Sequence, residues 1–135
     1  MKVRFVLITL SLLGLLLSGC KTETPAQKAL AVDAKGRELV LNGQYPLAIT
    51  LYSKAIESDG KNGAVYFHRG TARMLDASTG GVSELDDAIS DFTMAIRLDP
   101  VVRGSAYHGR GDAKHLKGDE PGAKEDWARA NVVGK

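Results

Sequence analysis

The chain has 135 residues, which is enough for one compact domain but not for two. It carries 18 basic and 16 acidic residues, and because Lys2 and Arg4 lie at the extreme N terminus, the rest has 16 of each. This balance provides no net field that would favour nucleic acid, so we predict no nucleic-acid partner. Cys20 is the only cysteine, which excludes an intramolecular disulfide.

Residues 1–20 have the organisation of a secretory signal. Lys2 and Arg4 form a short basic start, an uncharged and largely apolar run follows from Phe5 to Leu17, and small residues then precede Cys20. A helix made from that run spans about 20 Å, whereas the hydrocarbon core of a bilayer is about 30 Å thick. The length therefore disfavours the alternative of a permanent transmembrane helix.

The end of this segment, Leu17-Ser18-Gly19-Cys20, resembles the lipobox of bacterial lipoproteins. The resemblance implies a signal peptide over residues 1–19, cleavage before Cys20, and lipidation of Cys20 on its sulfur and its amine. Two or more acyl chains hold a protein stably on a membrane, so the membrane becomes a partner through this anchor. Because Lys21 rather than Asp follows, the resemblance implies a lipid-anchored envelope protein, placed in the outer membrane facing the periplasm in a two-membrane bacterium. We interpret residues 20–28 as the lipidated cysteine and a polar tether.

Six helices are predicted beyond the tether, separated by short turns rich in Gly, Asn, Asp and Pro. No stretch alternates with a period of two, so we expect an all-α fold. The predicted helices cover residues 29–41, 46–59, 64–75, 83–98, 105–117 and 121 onward.

The helices repeat in phase as three pairs. Each first helix has a glycine near its middle, and each second helix has small residues seven positions apart with an aromatic residue between them. Glycine in a helix costs up to about 1 kcal/mol relative to alanine, so close helix contact is expected there. An alternative four-helix bundle with a spare pair does not account for this phasing. The residues concerned are Gly36, Gly70 and Gly111, then Ala48, Tyr52, Ala55, Ala88, Phe92, Ala95, Ala123, Trp127 and Ala130.

This pattern resembles the tetratricopeptide repeat (TPR), which has a period of about 34 residues. The resemblance implies an α-solenoid of three helix-turn-helix repeats, over residues 29–62, 63–103 and 104–135, wound as a right-handed superhelix. The second repeat carries extra residues around Ala77–Val82, which we predict to form a surface loop between its helices, with a partner contact as the alternative. The first repeat differs most from the TPR pattern, because it has Val32 at the position where the other two repeats have the aromatic residues Tyr66 and Tyr107.

The resemblance also implies that the first helices line a concave groove that binds a peptide or an envelope protein. For Phe67 and Met74 two roles are open: an anchor for a bound apolar side chain, or packing against the next repeat. Some relatives clamp a C-terminal carboxylate with Lys and Asn; the matching residues here are Asp33 and Arg37, so we do not predict that mode. The groove positions are Asp33, Arg37, Val40, Phe67, Thr71, Met74, His108, Asp112 and His115.

His108, Asp112 and His115 share one face of one helix, so a zinc site or acid–base chemistry is an alternative for them. The opposing interpretation is a polar groove wall in which Asp112 bonds one imidazole. No nucleophile or metal-hydrolase pattern accompanies these residues, and we predict neither a metal nor another cofactor.

We therefore expect a non-enzymatic adaptor or scaffold of the bacterial cell envelope. The alternative is a self-associating structural or assembly lipoprotein, such as a pilus-secretin or outer-membrane assembly factor. That alternative requires the C-terminal apolar face near Val132 and Val133 to pair in a homo-oligomer.

Overall fold

The computed structural model describes residues 23–80 and 83–133, which form six α-helices and no strand. Each helix packs on the next along the chain, and α1–α3 and α3–α5 also touch, so three helical hairpins stack side by side. The predicted all-α solenoid is confirmed. The helices are α1 (Pro25–Leu41), α2 (Tyr45–Ser58), α3 (Gly63–Gly80), α4 (Ser83–Leu98), α5 (Arg103–Leu116) and α6 (Glu120–Val133).

The signal segment and Cys20 lie outside the described residues, as do Gly81, Val82 and the last two residues of the chain. Within the described ranges, no helix combines the length and the apolar composition that crossing a bilayer requires.

Helix α1 begins at Pro25, so the prediction of a tether through residue 28 is wrong for its last four residues. Thr24 caps the helix: its hydroxyl accepts from the Gln27 amide at 3.2 Å, and the Gln27 side chain accepts from the Thr24 amide at 2.8 Å. Proline fits the first turn because its missing N–H has no partner there anyway. The Thr-Pro-Ala-Gln sequence is a capping box that the tether interpretation overlooked.

Helix α3 continues through Gly80, so the predicted loop at residues 77–82 is wrong as far as residue 80. In the other two first helices a glycine with positive φ ends the helix seven residues after the mid-helix glycine, at Gly43 (70°) and Gly118 (86°). The matching residue in α3 is Ala77, which cannot adopt that conformation cheaply. Ala77 packs instead against the core, and the extra residues lengthen the helix.

The helices pack closely through alanines and through three aromatic rings that lie on glycines. A Cβ at Gly109 would come within 2.7 Å of the Phe92 ring, and one at Gly111 within 2.6 Å of the Trp127 indole nitrogen. A Cβ at Gly36 would likewise meet the Tyr52 ring. Glycine thus allows the close helix approach that the sequence predicts. Two clusters result, one around Leu85, Ala88, Phe92, Ala95, Ala106 and Ala113, the other around Ala48, Tyr52, Val65 and Ala72.

Two carboxylates are buried between the helices of the second and third repeats. Asp126 is 1% exposed and receives the Arg110 guanidinium through two hydrogen bonds of 2.8 and 2.7 Å. The Lys114 ammonium lies 2.8 Å from the same carboxylate. Burial by itself would raise the pKa of Asp126, but the hydrogen bonds from Arg110 and Lys114 outweigh it and hold the pKa below its ordinary value.

The second repeat contains the same arrangement around Asp91, which is 3% exposed. Arg69 donates to it through two bonds of 2.9 and 2.7 Å, and Arg73 adds a third at 2.8 Å. The remaining Arg69 nitrogen donates to the hydroxyl of Ser53 on α2 at 3.0 Å.

Arg110 reaches back in the same way, donating to the Thr93 hydroxyl on α4 at 3.0 Å. Each arginine thus joins the buried carboxylate of its own repeat to a hydroxyl of the preceding repeat. The two networks therefore fix the register between neighbouring hairpins, which positions the concave surface.

Replacing Asp126 with alanine leaves the Arg110 and Lys114 side chains without their buried carboxylate partner. We therefore expect Asp126→Ala to lower the free energy of unfolding by about 3–5 kcal/mol. Denaturant unfolding at pH 7 measures this loss. Glu125→Ala is the matched control, since Glu125 is exposed and pairs with Arg129 one turn away; its loss should stay below about 0.5 kcal/mol.

The difference between wild type and Asp126→Ala should also depend on pH. Because the folded state binds the Asp126 proton more weakly than the unfolded state does, acid favours unfolding. The stability that ionised Asp126 provides is therefore complete above the unfolded pKa of 3.8 and is lost as the pH falls through the lower pKa of the folded state. Equal stability of the two proteins at pH 7 would show that this carboxylate does not hold the hairpins together.

Candidate functional site

Three of the six predicted groove residues of the first two repeats, Arg37, Val40 and Thr71, line a cavity of about 190 Å³ between α1 and α3. Arg37, Val40 and Leu41 contribute from α1, and His68 and Thr71 from α3. The Tyr52 ring of α2 forms part of its wall. Leu41 is 86% exposed at this cavity, so an apolar surface is open to a ligand.

Asp33 lies beside the cavity and is held by two cationic or polar partners. Arg37 is 2.8 Å from one carboxylate oxygen, one turn along α1, and the His68 Nε2 atom approaches the other oxygen to 2.9 Å from α3. The second contact is close, but its geometry is not that of a hydrogen bond, so Asp33 Oδ1 lacks a hydrogen-bond partner. The Arg37 guanidinium thus largely balances the negative charge of Asp33 before any ligand binds.

Burial lowers the pKa of His68, and the nearby Asp33 carboxylate only partly opposes this. His68 is therefore mainly neutral at pH 7. Its ring stacks on Tyr52 with centroids 5.9 Å apart and planes inclined by 21°. The charge at the cavity is consequently one carboxylate against one exposed guanidinium, which does not select a strongly charged ligand.

Tyr52 is completely buried, and its hydroxyl has no hydrogen-bond partner among the described residues. Burial first, and then the Asp33 carboxylate, raise the pKa of Tyr52 to about 12. A buried hydroxyl without a partner costs roughly 1–3 kcal/mol in lost hydration. The Tyr52 hydroxyl therefore carries a stability cost, in a side chain that forms part of the cavity wall.

We expect Tyr52→Phe to keep the ring on Gly36 and to leave stability at pH 7 unchanged or raised by up to about 1 kcal/mol. Above the unfolded pKa of 10.0, wild type should lose stability up to about pH 12 because the unfolded state ionises first. The phenylalanine variant has no such group and should lose less over that range.

Thermal unfolding from pH 7 to pH 12 compares the two proteins, with Tyr45→Phe at pH 7 as a control for a less buried tyrosine. A loss of about 1 kcal/mol or more in Tyr52→Phe at pH 7 would mean that the hydroxyl does find an acceptor in solution, with Asp33 the nearest candidate.

Phe67 and Met74 are half-buried, and both pack against the cluster around Phe92. The Phe67 ring lies 5.9 Å from the Phe92 ring and 5.2 Å from the His68 ring, centroid to centroid. Of their two open roles, the contacts favour packing, which leaves only part of each side chain for a ligand. Thr71 donates to the Phe67 carbonyl at 3.0 Å and lines the cavity.

The three groove residues of α5 do not converge. His108 contacts Asp112 at 3.2 Å, whereas the His115 ring nitrogen lies 2.5 Å from Glu120 at the start of α6. Asp112 also accepts from the Trp127 indole at 2.8 Å. Asp112 thus bonds one imidazole and the indole, as the polar-wall interpretation predicts. Across residues 23–80 and 83–133 no group of three His, Cys, Asp or Glu side chains is arranged to hold a metal ion.

Sequence reasoning missed His68 as a site residue. Its partners Asp33 and Tyr52 lie on two other helices, so no spacing within one helix reveals the contact. The two buried arginine–carboxylate pairs, Arg69–Asp91 and Arg110–Asp126, were missed as well. Arg69 and Arg110 directly precede the repeat glycines, at a position where the TPR pattern usually has leucine. That departure was the available signal for a buried carboxylate on the neighbouring helix.

Solved structures of TPR domains resemble this fold. The first and second TPR domains of Spaghetti (RPAP3), each bound to the HSP90 peptide SRMEEVD, superpose with a TM-score of 0.68. The first is 28% identical over 79% of this chain and 79% of that one; the second is 27% identical over 79% of this chain and 93% of that one. No family model and no curated protein matches the sequence. The TPR-like fold is confirmed, whereas the lipoprotein resemblance stays a prediction.

Proposed function

We propose that the protein is a non-enzymatic adaptor that binds a segment of another protein in the groove formed by α1 and α3. TPR domains are typically protein-interaction modules, and the two resembling domains each hold a peptide. The observation that carries the proposal is the cavity between α1 and α3, where Val40, Leu41 and Tyr52 form an apolar wall beside the Asp33–Arg37 pair. A concave apolar site with few polar groups is the ordinary form of a binding pocket.

The chemistry of the cavity favours an apolar side chain over an acidic chain end. The peptide in the resembling structures, SRMEEVD, has three acidic residues among its last four. Here Asp33 places a carboxylate beside the cavity and already engages Arg37. A second carboxylate would meet repulsion and an occupied guanidinium, so the partner segment inserts an aliphatic or aromatic side chain against Val40 and Leu41.

Photo-crosslinking from the groove tests this function. A photoreactive amino acid replaces Leu41, which is 86% exposed at the cavity, or Leu47, which is 56% exposed on α2 away from it. We expect crosslinks to one defined partner from position 41 in intact cells and none to that partner from position 47. Adding Val40→Asp should reduce the position 41 crosslink at least tenfold because it charges the apolar wall.

Equal crosslinking of the same partner from both leucines would contradict binding in the groove. The Val40→Asp protein must first show wild-type helical content and thermal midpoint, since Val40 also packs against the core of the first repeat.

We further propose that the adaptor works at a membrane of the bacterial envelope, held by lipid on Cys20. The lipobox-like Leu17-Ser18-Gly19-Cys20 sequence supports this, as does the shortness of the segment between Cys20 and the Thr24 cap of α1. Four residues span at most about 14 Å, so the hairpin stack would stay near the bilayer.

Cys20→Ser should abolish incorporation of a labelled fatty acid and move the protein from the membrane fraction to the soluble fraction. Ser18→Ala serves as the control, because it changes the same motif while keeping the cysteine, and it should label like wild type. Labelling that persists in Cys20→Ser would contradict the anchor but would leave the groove proposal standing.

A further inference from the structure

The first repeat has a second and larger cavity, of about 640 Å³, at the N-terminal half of α1, whereas the groove cavity lies at the C-terminal end of that helix. It lies between α1, the end of α2 and the start of α3, and it shares no residue with the groove cavity. Val32, Leu51, Ala55 and Val65 give it an apolar floor. The floor belongs to the folded core, because Val32 and Ala55 pack against the buried Val65.

The other two repeats show what fills the equivalent position. Val32 lies four residues before Gly36, and the residues four before Gly70 and Gly111 are Tyr66 and Tyr107. Both tyrosines are half-buried. The first repeat therefore lacks one aromatic ring that the architecture elsewhere contains.

Each of those rings is covered by a cation. The Arg69 guanidinium lies 5.6 Å from the centroid of the Tyr66 ring, and that of Arg110 lies 5.3 Å from the Tyr107 ring. Arg129 approaches the Tyr107 ring from α6 at 5.9 Å. Cations at these distances are attracted to the negative face of an aromatic ring.

The first repeat keeps a cation at the matching place. Lys54 follows Ala48 by six residues, as Arg129 follows Ala123, and Lys54 lines the cavity. Lys28 stands at the same rim, together with the acidic residues Glu23 and Asp59. The Asp59 carboxylate is already engaged by the Lys61 amide at 3.1 Å. The rim thus offers ammonium groups that complement the π face of an incoming ring.

We propose that this cavity binds an aromatic side chain of a partner protein, which supplies the ring that Val32 leaves out. An aromatic side chain brings 150–250 Å² of surface to bury, roughly what the apolar floor and the lysine stems can cover. This surface is separate from the groove, so the adaptor has two binding places on its first repeat.

The test uses the purified full-length chain and two small probes, N-acetyl-tyrosinamide and N-acetyl-leucinamide, followed by methyl NMR of Val32, Leu51 and Val65. We expect saturable shifts with the tyrosine probe and at least fivefold weaker binding of the leucine probe. Val32→Tyr should fill the cavity from within, abolish these shifts and raise the thermal midpoint by about 3–6 °C.

Lys54→Gln removes one rim cation without touching the floor and should weaken the tyrosine probe about threefold. Lys124→Gln, which loses the same charge on the exposed surface of α6 in the third repeat, should bind like wild type. These exposed substitutions keep the proposal testable even if Val32→Tyr fails to fold.

Equal binding of the two probes, or unchanged binding in Lys54→Gln, would overturn the aromatic assignment. So would concentration-dependent shifts of the same methyl groups without any probe, because a second copy of the chain would then be the occupant. Groove crosslinking from Leu41 is independent of all these outcomes.

Discussion

Two nearly inaccessible carboxylates, Asp91 and Asp126, determine how the hairpins fit together. Neither could be buried unpaired, because an isolated charge in the interior costs far more than the few kcal/mol by which a domain is stable. Each therefore requires an arginine from the facing first helix, and that arginine requires a hydroxyl from the preceding repeat. The need to compensate one charge links three helices and fixes their register.

The first repeat is the exception, and it contributes most of the lining of both candidate binding sites. It has Leu51 where the other repeats have Asp91 and Asp126, Lys35 where they have Arg69 and Arg110, and Val32 where they have tyrosine. Lys35 pairs instead with Glu38 on the surface. This repeat thus lacks both the buried arginine–carboxylate pair and the aromatic ring, and the cavity beside Val32 stays open. The second and third repeats fill the same space with their own side chains and serve as the rigid support.

Phased glycine and alanine positions predicted six helices in three hairpins because close helix packing leaves a local mark in each repeat. Residues such as Thr24 and Ala77 carried local information about helix ends, although Ala77 is informative only beside Gly43 and Gly118. Nothing in the local sequence indicated that Phe67 packs on Phe92, or that His115 contacts Glu120 and stays apart from Asp112. Those outcomes depend on which neighbouring helix offers a partner, and periodicity along one helix does not contain that information.

The helical hairpins, their number and the faces on which they pack could be predicted from the order of residues, since they follow from a regular spacing of small and large apolar residues. The folded arrangement was needed to show which charges are buried, that His68 contacts Asp33 and Tyr52, and that a cavity lies beside Val32. Packing faces are set by residues close in sequence. Charge compensation and cavities depend instead on atoms that meet only when separate helices have stacked.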